Sequence, residues 1–412
     1  MSDDHPQSLW LGRSIALIGI MLVALSLRVA VAAISPIIDV INQDIPLSSV
    51  GIGVIGMLPP IIFALSGFVA PVIAHRLGLE RVLVLAIALM IIGHLARALS
   101  DSYLILIIGS AIALLGMGMG NVLLPPTVKR YFPDRIGIVT ASYVTLLSIS
   151  TAVPALLAAP VAEAYGWRTS LGAWSLVATA ALIPWLLVLG QQRTARAAAA
   201  LDPAPEVEVV HAAAVRGLWR SRVAVAITIA FAVSALNAYA SFAWLPEILV
   251  DLTGMSSVNA GVMLSIFGFA GLPAGIVAPF LVARLKNVGW LVFAGVAFFV
   301  IGYLGLIIAP TAATLLWVLL IGLGPVLFPV CLVLINSRTR THGGSVALSG
   351  FAQGIGYTLG ALGPLLVGVL HDFTGGWTAP LAFLLATALA AIFSAIALRS
   401  PRYVEDELKP AS

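Results

Sequence analysis

The stretch Ala24-Leu25-Ser26-Leu27-Arg28-Val29-Ala30-Val31-Ala32-Ala33-Ile34-Ser35-Pro36 lies inside an apolar run that extends from Ser14 to Ile38. A helix of about 20 residues, rising about 1.5 Å per residue, crosses the hydrocarbon core of a bilayer, so the run predicts a membrane span. Arg28 is the only charged residue in it, and an arginine near the bilayer centre costs about 2.5–3.5 kcal/mol on insertion scales. Because a guanidinium keeps its proton in proteins, the fold must give Arg28 a water-filled cavity, a buried partner or an anion that binds and leaves.

The composition of the whole chain extends this prediction. Of its 412 residues, 61% are hydrophobic and 9% are charged, whereas soluble domains contain about 25% charged residues. Apolar segments long enough to span a membrane recur along the chain, which predicts an all-α membrane protein in contact with the lipid bilayer. The net charge of +4 comes from basic residues in short loops, so no nucleic-acid partner is indicated. Cys331 is the single cysteine, which excludes an intrachain disulfide.

These segments predict twelve transmembrane helices with both ends of the chain on one side. Of the 21 Lys and Arg residues, 18 fall on that side, Arg97 and Arg168 fall on the other, and Arg28 lies in the membrane. The positive-inside rule therefore predicts a multi-pass protein of the cell (inner) membrane with both termini in the cytoplasm. The first run is too long for a signal peptide, so we expect it to be retained. The predicted spans are 14–39, 49–75, 81–99, 102–126, 136–161, 168–190, 223–249, 257–284, 288–309, 311–336, 344–370 and 377–398.

The chain is predicted to fold as two related halves. Residues 1–190 form an N-terminal six-helix bundle, 191–221 a flexible cytoplasmic linker, and 222–412 a C-terminal six-helix bundle with a short cytoplasmic tail. Pseudo-symmetric six-span repeats are typical of secondary transporters, which bind substrate between the halves near the midplane. The repeat is visible at a constant offset of 208, where Ser48-Ser49-Val50, Gly53, Gly67, Ala70-Pro71 and Arg76-Leu77 return as Ser256-Ser257-Val258, Gly261, Gly275, Ala278-Pro279 and Arg284-Leu285. A looser match places Gly166-Trp167 on Gly376-Trp377.

This six-plus-six arrangement resembles the major facilitator superfamily. The segment between spans 2 and 3 is similar to the family's cytoplasmic loop motif, with His75, Arg76, Gly78 and Arg81 at motif positions. His75 stands where the motif usually has an aspartate, and Pro71 stands where it usually begins with glycine. The departure weakens the charge latch between loop and helix that the resemblance otherwise implies.

A finer resemblance extends over nearly the full chain, to the cyanate and 2-nitroimidazole transporter family. Two departures, Ser26 where the family often has asparagine and Val29 where proline usually follows, lie beside Arg28. The resemblance implies alternating access around a cavity lined by spans 1, 4, 7 and 10, with spans 5 and 11 closing it. The residues that carry it are Leu27-Arg28 with Pro36, Gly120-Asn121-Val122-Leu123-Leu124-Pro125, Val128-Lys129-Arg130, Tyr239 with Trp244-Leu245-Pro246, Arg338-Thr339-Arg340-Thr341, Leu348 to Tyr357, Ala361 to Leu366, and Leu370-His371-Asp372.

Arg28 is the main substrate-binding candidate. A guanidinium fork suits planar oxyanions, and its attraction to them is strongest where water is scarce. The structural alternative is a buried ion pair, which needs an acidic residue at similar depth. No such residue is predicted, because the acids of the spans lie near their outer ends (Asp39, Glu163, Glu247, Asp372) or near the inner surface (Glu80, Asp134).

Polar and aromatic residues in other spans are the remaining candidates for substrate contact. Asn121 follows the small residues Gly116, Gly118 and Gly120 in span 4 and could equally hydrogen-bond another helix. In span 11, Gln353 and Tyr357 lie four residues apart on one helix face, and they could bind a ligand or seal an interface between helices. Trp244 could equally belong to the aromatic belt at the membrane surface. The full candidate set is Arg28, Asn121, Tyr143, Asn237, Tyr239, Trp244, Gln353 and Tyr357.

Gating and coupling residues are harder to identify, because no carboxylate at mid-depth offers a proton relay. An unperturbed histidine titrates in the range useful for proton transfer, which makes His94 a candidate, but together with Arg97 it is predicted to snorkel towards the outer surface. His371 and Asp372 end span 11 and are predicted either to gate the outer side or to be a solvated helix end. The candidate set is Asp39, His94, Glu163, Glu247, His371 and Asp372.

No pattern in the chain indicates an enzyme. There is no glycine-rich phosphate loop, no His/Cys metal spacing and no nucleophile–base arrangement, so no catalytic residue, metal or cofactor is predicted. The sequence predicts a monomeric secondary active transporter of a small anionic or polar planar solute, like cyanate or a 2-nitroimidazole, with possible proton coupling. Two rival interpretations are a drug/proton antiporter, which fits a central arginine poorly, and a non-transporting receptor on a transporter fold.

Overall fold

The computed structural model describes residues 13–47, 49–199 and 217–408, and every regular element in them is helical. Twelve segments are long and apolar enough to cross a membrane, which confirms the predicted all-α membrane fold. The helices of spans 1 to 12 are, in order, Ser14–Ser26 with Val29–Ala32, Ser49–Leu77, Leu79–Ala98, Tyr103–Tyr131, Ile136–Tyr165, Trp167–Gly172 with Trp174–Ala199, Arg222–Thr253, Ser257–Arg284, Gly289–Ile308, Thr314–Leu323 with Leu327–Ser337, His342–Thr374 and Thr378–Ala397.

Span 1 is interrupted at the arginine that defines it. The first helix ends at Ser26, Leu27 and Arg28 form a bend, and a short second helix covers Val29–Ala32. At the bend the Leu27 N–H bonds to the carbonyl of Ala24, three residues back instead of four, which tightens the turn. The helix is therefore interrupted at the depth from which the Arg28 side chain extends.

The predicted first span, 14–39, also ends earlier than its apolar pattern suggests. Pro36 lies in a single 3-10 turn, Ser35–Ile37, and a separate helix, Ile38–Asp44, follows. Proline lacks an N–H and disfavours helical backbone in the residue before it, which favours an interruption of the α-helix here.

The two halves repeat the same contact at one face of the molecule. The indole of Trp167 donates to the carboxylate of Asp44 over 2.9 Å, and that of Trp377 donates to Asp251 over 2.8 Å. The first pair joins the end of the short helix that follows span 1 to the start of span 6, and the second joins the end of span 7 to the start of span 12. The weak sequence match around the two tryptophans therefore corresponds to equivalent positions in space.

Two faces of the bundle are distinguished by the ends of the described chain. The termini face carries Arg13, which pairs with Asp134 at 2.6 Å, and a C-terminal helix, Val404–Leu408. The opposite face carries the Asp44–Trp167 and Asp251–Trp377 pairs. Because an even number of spans separates the two ends, both lie at the same face.

The C-terminal helix is tied to the C-terminal half by its acidic residues. A carboxylate oxygen of Glu405 accepts from the backbone N–H of Arg340 over 2.8 Å, between spans 10 and 11. The carboxylate of Glu407 accepts from the Ser221 hydroxyl over 2.8 Å, at the start of span 7. The helix therefore joins two neighbouring helix ends whose free N–H groups attract negative charge.

Most of the predicted linker lies outside the described residues. The helix Trp174–Ala199 continues beyond the predicted end of span 6 at residue 190, and the chain is described again from residue 217. The domain boundaries drawn from the sequence therefore stay a prediction.

The halves meet closely where glycines face each other. A Cβ added at Gly67 in span 2 would overlap the backbone of Gly354 in span 11, and one added at Gly350 would overlap Pro71. Both contacts lie between mid-depth and the termini face. Small residues thus let spans 2 and 11 approach closely in that part of the membrane.

Candidate functional site

Arg28 projects from the bend in span 1 into the space between the halves. Its guanidinium carbon lies 5.4 Å from the ring centroid of Phe63 in span 2 and 5.8 Å from that of Phe328 in span 10. One aromatic ring from each half therefore flanks the cation. Such contacts contribute about 0.5–2 kcal/mol, which offsets part of the cost of placing the charge in the membrane.

Two tyrosines of the C-terminal half complete the surroundings of Arg28. The phenols of Tyr357 in span 11 and Tyr239 in span 7 are close enough to interact electrostatically with the guanidinium. The Nη1 atom of Arg28 is buried and has no hydrogen-bond partner among the described residues. The cation is thus surrounded by π faces and hydroxyls, with at least one donor left for another molecule.

A buried amide network crosses between the halves beside this arginine. The side-chain nitrogen of Asn121 in span 4 donates to the amide oxygen of Gln353 over 2.8 Å and to the hydroxyl of Tyr357 over 2.8 Å. Gln353 in turn donates to the hydroxyl of Ser349 over 2.9 Å, which donates to the carbonyl of Val122 over 2.6 Å. The network satisfies polar groups that would otherwise be costly in a dry environment.

Tyr357 is the residue through which the separate parts of the site touch. Its ring meets Phe63 edge-on at 5.4 Å and Phe231 at 5.0 Å, and lies 6.4 Å from Tyr239. Its hydroxyl accepts from Asn121. Tyr357 therefore contacts both the aromatic surroundings of the arginine and the network between the halves.

No acidic side chain neutralises Arg28 in the described structure, since none of the salt bridges formed there includes it. Glu80 is buried but pairs with Arg130 at 3.2 Å, near the termini face. The structure thus offers Arg28 no ion-pair partner in place of a ligand. Nor does the described part of the chain contain a group of His, Cys, Asp and Glu side chains suited to a metal ion.

Five of the predicted substrate-binding residues come together in this cluster: Arg28, Asn121, Tyr239, Gln353 and Tyr357. We call these five residues the central cluster. They derive from spans 1, 4, 7 and 11. The contacts of Phe328 add span 10, as the sequence analysis expects, and those of Phe63 add span 2, which it does not.

The other substrate candidates have different surroundings. Asn237 is fully buried and donates to Val233 and to Thr387 in span 12. Trp244 donates to the carbonyl of Pro364 over 2.8 Å. Tyr143 is 1% exposed in the core of span 5. The contacts of Asn237 and Trp244 are those of helix packing within the C-terminal half.

The structure corrects the prediction that His94 and Arg97 snorkel to the surface. They are 1% and 0% exposed, because spans 3 and 4 and the short helix Trp167–Gly172 close around them. The remaining coupling candidates lie near the opposite face. Glu163 and Glu247 are exposed there, whereas the side chain of Asp39 lies outside the part of the chain that the structure describes.

His371 and Asp372 also lie near the opposite face. The ring of His371 stacks on that of Trp377 at 3.9 Å between centroids, and the side chain of Asp372 is 88% exposed. Since Trp377 also bonds to Asp251, His371 is fixed within the C-terminal half. The contacts are those of a helix end.

The loop motif between spans 2 and 3 forms a tight turn. Gly78 has φ of +87°, a conformation that favours glycine. Arg76 and Arg81 are exposed, and neither forms a salt bridge within the described residues; His75 is half-buried. The weakening of the latch by the departures from the motif stays a prediction.

A different basic residue joins the halves at this face, and the sequence analysis names it only among the residues that carry the family resemblance. The ammonium of Lys129, at the end of span 4, donates to the carbonyl of Asn336 over 3.0 Å and to the hydroxyl of Thr339 over 2.9 Å. It also donates to the carbonyl of Thr339. Lys129 thus caps the C-terminal end of span 10 from the other half, where a cation is favoured.

The aromatic neighbours of Arg28 carry no signal in the sequence. Phe63 and Phe328 are two of 16 phenylalanines in an apolar chain. Only the packing of spans 2 and 10 around the bend in span 1 gives them a role. Ser349, within the segment Leu348–Tyr357, was visible only as part of a family resemblance.

Comparisons with known proteins agree with this architecture. Residues 17–361 match the family described as Major Facilitator Superfamily. Similar proteins include an uncharacterized transporter of Bacillus subtilis (strain 168), 32% identical over 93% of this chain and 92% of that protein. The 2-nitroimidazole transporter of Escherichia coli (strain K12) is 32% identical over 94% and 96% of the two chains. The cyanate transport protein of the same strain is 24% identical over 89% and 92%.

A solved structure shares the fold at lower identity. The proton:xylose symporter XylE, bound to 6-bromo-6-deoxy-D-glucose, superposes with a TM-score of 0.72 and 16% identity, over 96% of this chain and 98% of that one. This likeness supports the helical architecture alone.

Proposed function

This chain belongs to the major facilitator superfamily, and we propose that it moves a small anionic or polar, planar solute by alternating access. The family predicted from the loop motif and the repeat is confirmed, and the chain is a multi-pass membrane transporter, not an enzyme. The proposal adds the substrate class and the mechanism. It also places the termini face in the cytoplasm, because that face carries most of the basic residues.

The proposed substrate class rests on one observation, which is that the Arg28 guanidinium is incompletely hydrogen-bonded. Its guanidinium lies between the halves with a buried donor unused among the described residues. Replacing the hydration of a cation by rings and phenols alone leaves a large part of its desolvation cost uncompensated. An anion or a strongly polar acceptor that binds there supplies the missing interaction, and it can leave again because it is not part of the chain.

The surroundings favour a flat solute over a bulky one. Phe63 and Phe328 flank the guanidinium at 5.4 Å and 5.8 Å, and the amides of Asn121 and Gln353 and the hydroxyl of Tyr357 lie beside it. Aromatic rings that flank a guanidinium suit a planar molecule with acceptor atoms on its edge. Cyanate and 2-nitroimidazole, the solutes named for two relatives, have this chemistry, whereas a hydrophobic drug cation would be repelled by Arg28.

Alternating access is supported by where the halves touch. The contacts of Gly67 with Gly354, Pro71 with Gly350 and Lys129 with Thr339 lie between the central cluster and the termini face. In this state solute would reach the cluster from the opposite face. Opening towards the termini face requires these contacts to separate.

Proton coupling is a separate part of the proposal. No carboxylate reaches Arg28 in the described structure, so a proton accompanying transport would travel with the solute. The other route uses Asp39, His94, Glu163 or Glu247 near the opposite face. We further infer a monomer, because one chain supplies every residue of the central cluster.

The test is ligand-induced thermal stabilisation of the purified protein at constant ionic strength and chloride. Cyanate, nitrate, small monocarboxylates and neutral nitroimidazoles are compared on the wild type and on Arg28→Gln. A ligand that binds only the folded state raises the melting temperature by mass action. We expect small anions to stabilise the wild type and to lose at least about 10-fold in apparent affinity in the variant, which corresponds to about 1.4 kcal/mol.

Arg168→Gln is the matched control, because Arg168 is an exposed arginine at the opposite face. It should respond to each ligand like the wild type. If only neutral azoles stabilise the protein, and Arg28→Gln responds to them equally, Arg28 has a structural role and the anion proposal is wrong. Counterflow of the stabilising solute in liposomes containing only this protein then distinguishes a transporter of it from a receptor.

A further inference from the structure

The hydrogen bonds beside Arg28 run in one direction, which a backbone carbonyl sets. The hydroxyl of Ser349 lies 2.6 Å from the carbonyl oxygen of Val122, which can only accept, so the single hydroxyl proton is used there. The same hydroxyl lies 2.9 Å from the side-chain amide of Gln353, and with its proton used it must accept from that amide. The nitrogen of Gln353 therefore faces Ser349 and the backbone carbonyl of Asn121, and its oxygen faces the side chain of Asn121.

This direction continues to Tyr357. Since the amide oxygen of Gln353 accepts, the atom of Asn121 that faces it at 2.8 Å is the side-chain nitrogen. The second proton of that nitrogen is donated to the hydroxyl oxygen of Tyr357, also over 2.8 Å. Both amide protons of Asn121 and both of Gln353 are thus bonded within the protein. Neither amide has an N–H left for a solute.

The hydroxyl of Tyr357 differs from the two amides because its own proton is not used. Its oxygen accepts from Asn121 and lies within hydrogen-bonding reach of the Arg28 guanidinium, which has no acceptor atom. Tyr239, whose ring centroid lies 6.4 Å away, forms no hydrogen bond with it in the described structure. The side chain of Tyr357 is only 2% exposed, and a buried donor without an acceptor is costly.

Open space adjoins this unused donor. Arg28 and Tyr239 are partly exposed although they lie between the halves, whereas Asn121 and Gln353 are 3% and 0% exposed. The guanidinium therefore borders the space from which a solute arrives, and the amides do not. Because the Tyr357 hydroxyl lies within reach of the guanidinium, an acceptor atom bound at Arg28 is also near the phenolic proton.

The ring that carries this hydroxyl is held from both halves. It meets Phe63 edge-on at 5.4 Å and Phe231 at 5.0 Å, so the position of the oxygen is fixed by packing. Asn121 occupies the accepting side of that oxygen, which directs the proton away from Asn121. A donor whose direction is set before binding loses little freedom when an acceptor arrives.

We propose that the Tyr357 hydroxyl is the specificity-determining hydrogen-bond donor of the solute site, and that Asn121 and Gln353 position it without contacting the solute. This inference rests on the proposed function, since it assumes that the solute binds at Arg28. It narrows the substrate class to solutes that offer acceptor atoms to two adjacent donors, one charged and one neutral. A linear or planar anion such as cyanate does so. A solute without an acceptor at that edge leaves the buried O–H unpaired and is rejected.

The test measures the affinity of the purified protein for cyanate, from thermal stabilisation at a series of cyanate concentrations. Tyr357→Phe keeps the ring and its aromatic contacts and removes the donor. Because hydrogen bonds to charged groups are the stronger ones, we expect this variant to bind cyanate at least about 10-fold more weakly. Tyr303→Phe is the matched control, since Tyr303 is a similarly buried tyrosine of the same half, 1% exposed in span 9. Its affinity should equal that of the wild type.

The infrared stretching band of bound cyanate separates a direct contact from an indirect one. Hydrogen bonds move this band away from its position in aprotic solvents. In Tyr357→Phe at saturating cyanate the band should move back towards that position, because one donor is lost. In Asn121→Leu it should keep its position and broaden, because the O–H remains but its direction is less fixed. A shift in Asn121→Leu as large as that in Tyr357→Phe would mean that the amide contacts the anion, which overturns the proposal.

Arg28→Gln distinguishes failure of this inference from failure of the proposed function. If Arg28→Gln loses cyanate binding and Tyr357→Phe binds like the wild type, the function stands and the role of Tyr357 is wrong. If the wild type binds neither cyanate nor nitrate, or Arg28→Gln binds both like the wild type, the anion proposal fails and this inference fails with it.

A crystal structure of the wild type with cyanate keeps the proposal testable even if Tyr357→Phe does not fold. An anion atom within about 3 Å of the Tyr357 hydroxyl oxygen supports it. An anion bonded instead to the amide nitrogen of Asn121 or Gln353, or water alone at the Tyr357 hydroxyl, overturns it.

Discussion

The side chain of Asn121 donates a hydrogen bond to that of Gln353 across the boundary between the two halves, over 2.8 Å. Both residues are buried, at 3% and 0% exposure. A hydrogen bond in such surroundings stabilises the contact between halves and must break if the halves separate there. It therefore affects both the stability of this state and the rate of leaving it.

Replacing Asn121 should weaken the contact between halves. Asn121→Ala leaves the amide oxygen of Gln353 without its donor, and an unsatisfied buried group costs about 1–3 kcal/mol. We expect a lower melting temperature, and a double-mutant cycle with Gln353→Ala should give a coupling energy of about 0.5–3 kcal/mol. Asn237→Ala is the control, because Asn237 is equally buried but bonds within the C-terminal half. Strictly additive effects of Asn121→Ala and Gln353→Ala would show that the network is not a functional unit.

Lys129 should hold the termini face closed. Its ammonium caps the end of span 10 through Asn336 and Thr339, and hydrogen bonds to charged groups contribute about 1.5–3 kcal/mol. Lys129→Met should therefore shift the equilibrium towards a state open at this face by about 10-fold or more. Spin labels report this shift when placed on Arg76→Cys and Arg284→Cys, which are equivalent exposed positions in the two halves.

The background for this measurement is Cys331→Ala, since Cys331 is the only cysteine. Longer label-to-label distances are expected in Lys129→Met than in the parent. Arg81→Met is the control, because it removes an exposed positive charge at the same face. An unchanged distance distribution in Lys129→Met, or an equal shift in Arg81→Met, contradicts the role of Lys129.

The contacts of the Asp44 carboxylate with Trp167 and Arg168, at the start of span 6, should make the stability of the protein depend on pH. The indole of Trp167 and the guanidinium of Arg168 bond to the Asp44 carboxylate and hold its pKa below the usual value. The contribution of Asp44 is therefore present above the pKa of the unfolded chain, about 3.9, and is lost as the pH falls through the lower folded value. We expect Asp44→Asn to lower the melting temperature at pH 7 by about 1–2 °C.

At pH 3 the difference between wild type and Asp44→Asn should be smaller than at pH 7. Asp101→Asn is the control, because Asp101 is an exposed carboxylate in the same part of the protein. A difference that is as large at pH 3 as at pH 7 would contradict a stabilising role for the charge of Asp44.

The C-terminal helix should stabilise the C-terminal half. Truncation after Tyr403 removes Glu405 and Glu407, which bind the helix ends at Arg340 and Ser221. Each cap of this kind contributes about 1 kcal/mol, so the truncated protein should melt several degrees lower and be cleaved faster by trypsin after Arg338 and Arg340.

Truncation after Leu408 retains all the described contacts of this helix and is the control. It should behave like the full chain. Equal melting temperatures and equal proteolysis of the two truncated proteins would show that the C-terminal helix does not contribute.

The membrane fold could be predicted from the sequence because its determinants are local or periodic. Span length, the distribution of basic residues and the repeat at an offset of 208 each follow from residue types at known spacings. The same holds for Arg28, because a lone charge in an apolar run is unfavourable whatever the fold around it. The structure differs from the prediction at the bend after Ser26, which the hydrophobic pattern does not signal.

What the sequence by itself determined is thus the class of protein and the candidates for substrate contact. Only the tertiary structure decided which candidates meet: it joins Asn121 to Gln353 and Tyr357, and directs Asn237 towards span 12. It also decided that Arg97 is buried. The physical reason is that a helix presents every residue on some face, and which face meets the other half depends on the packing of all twelve spans.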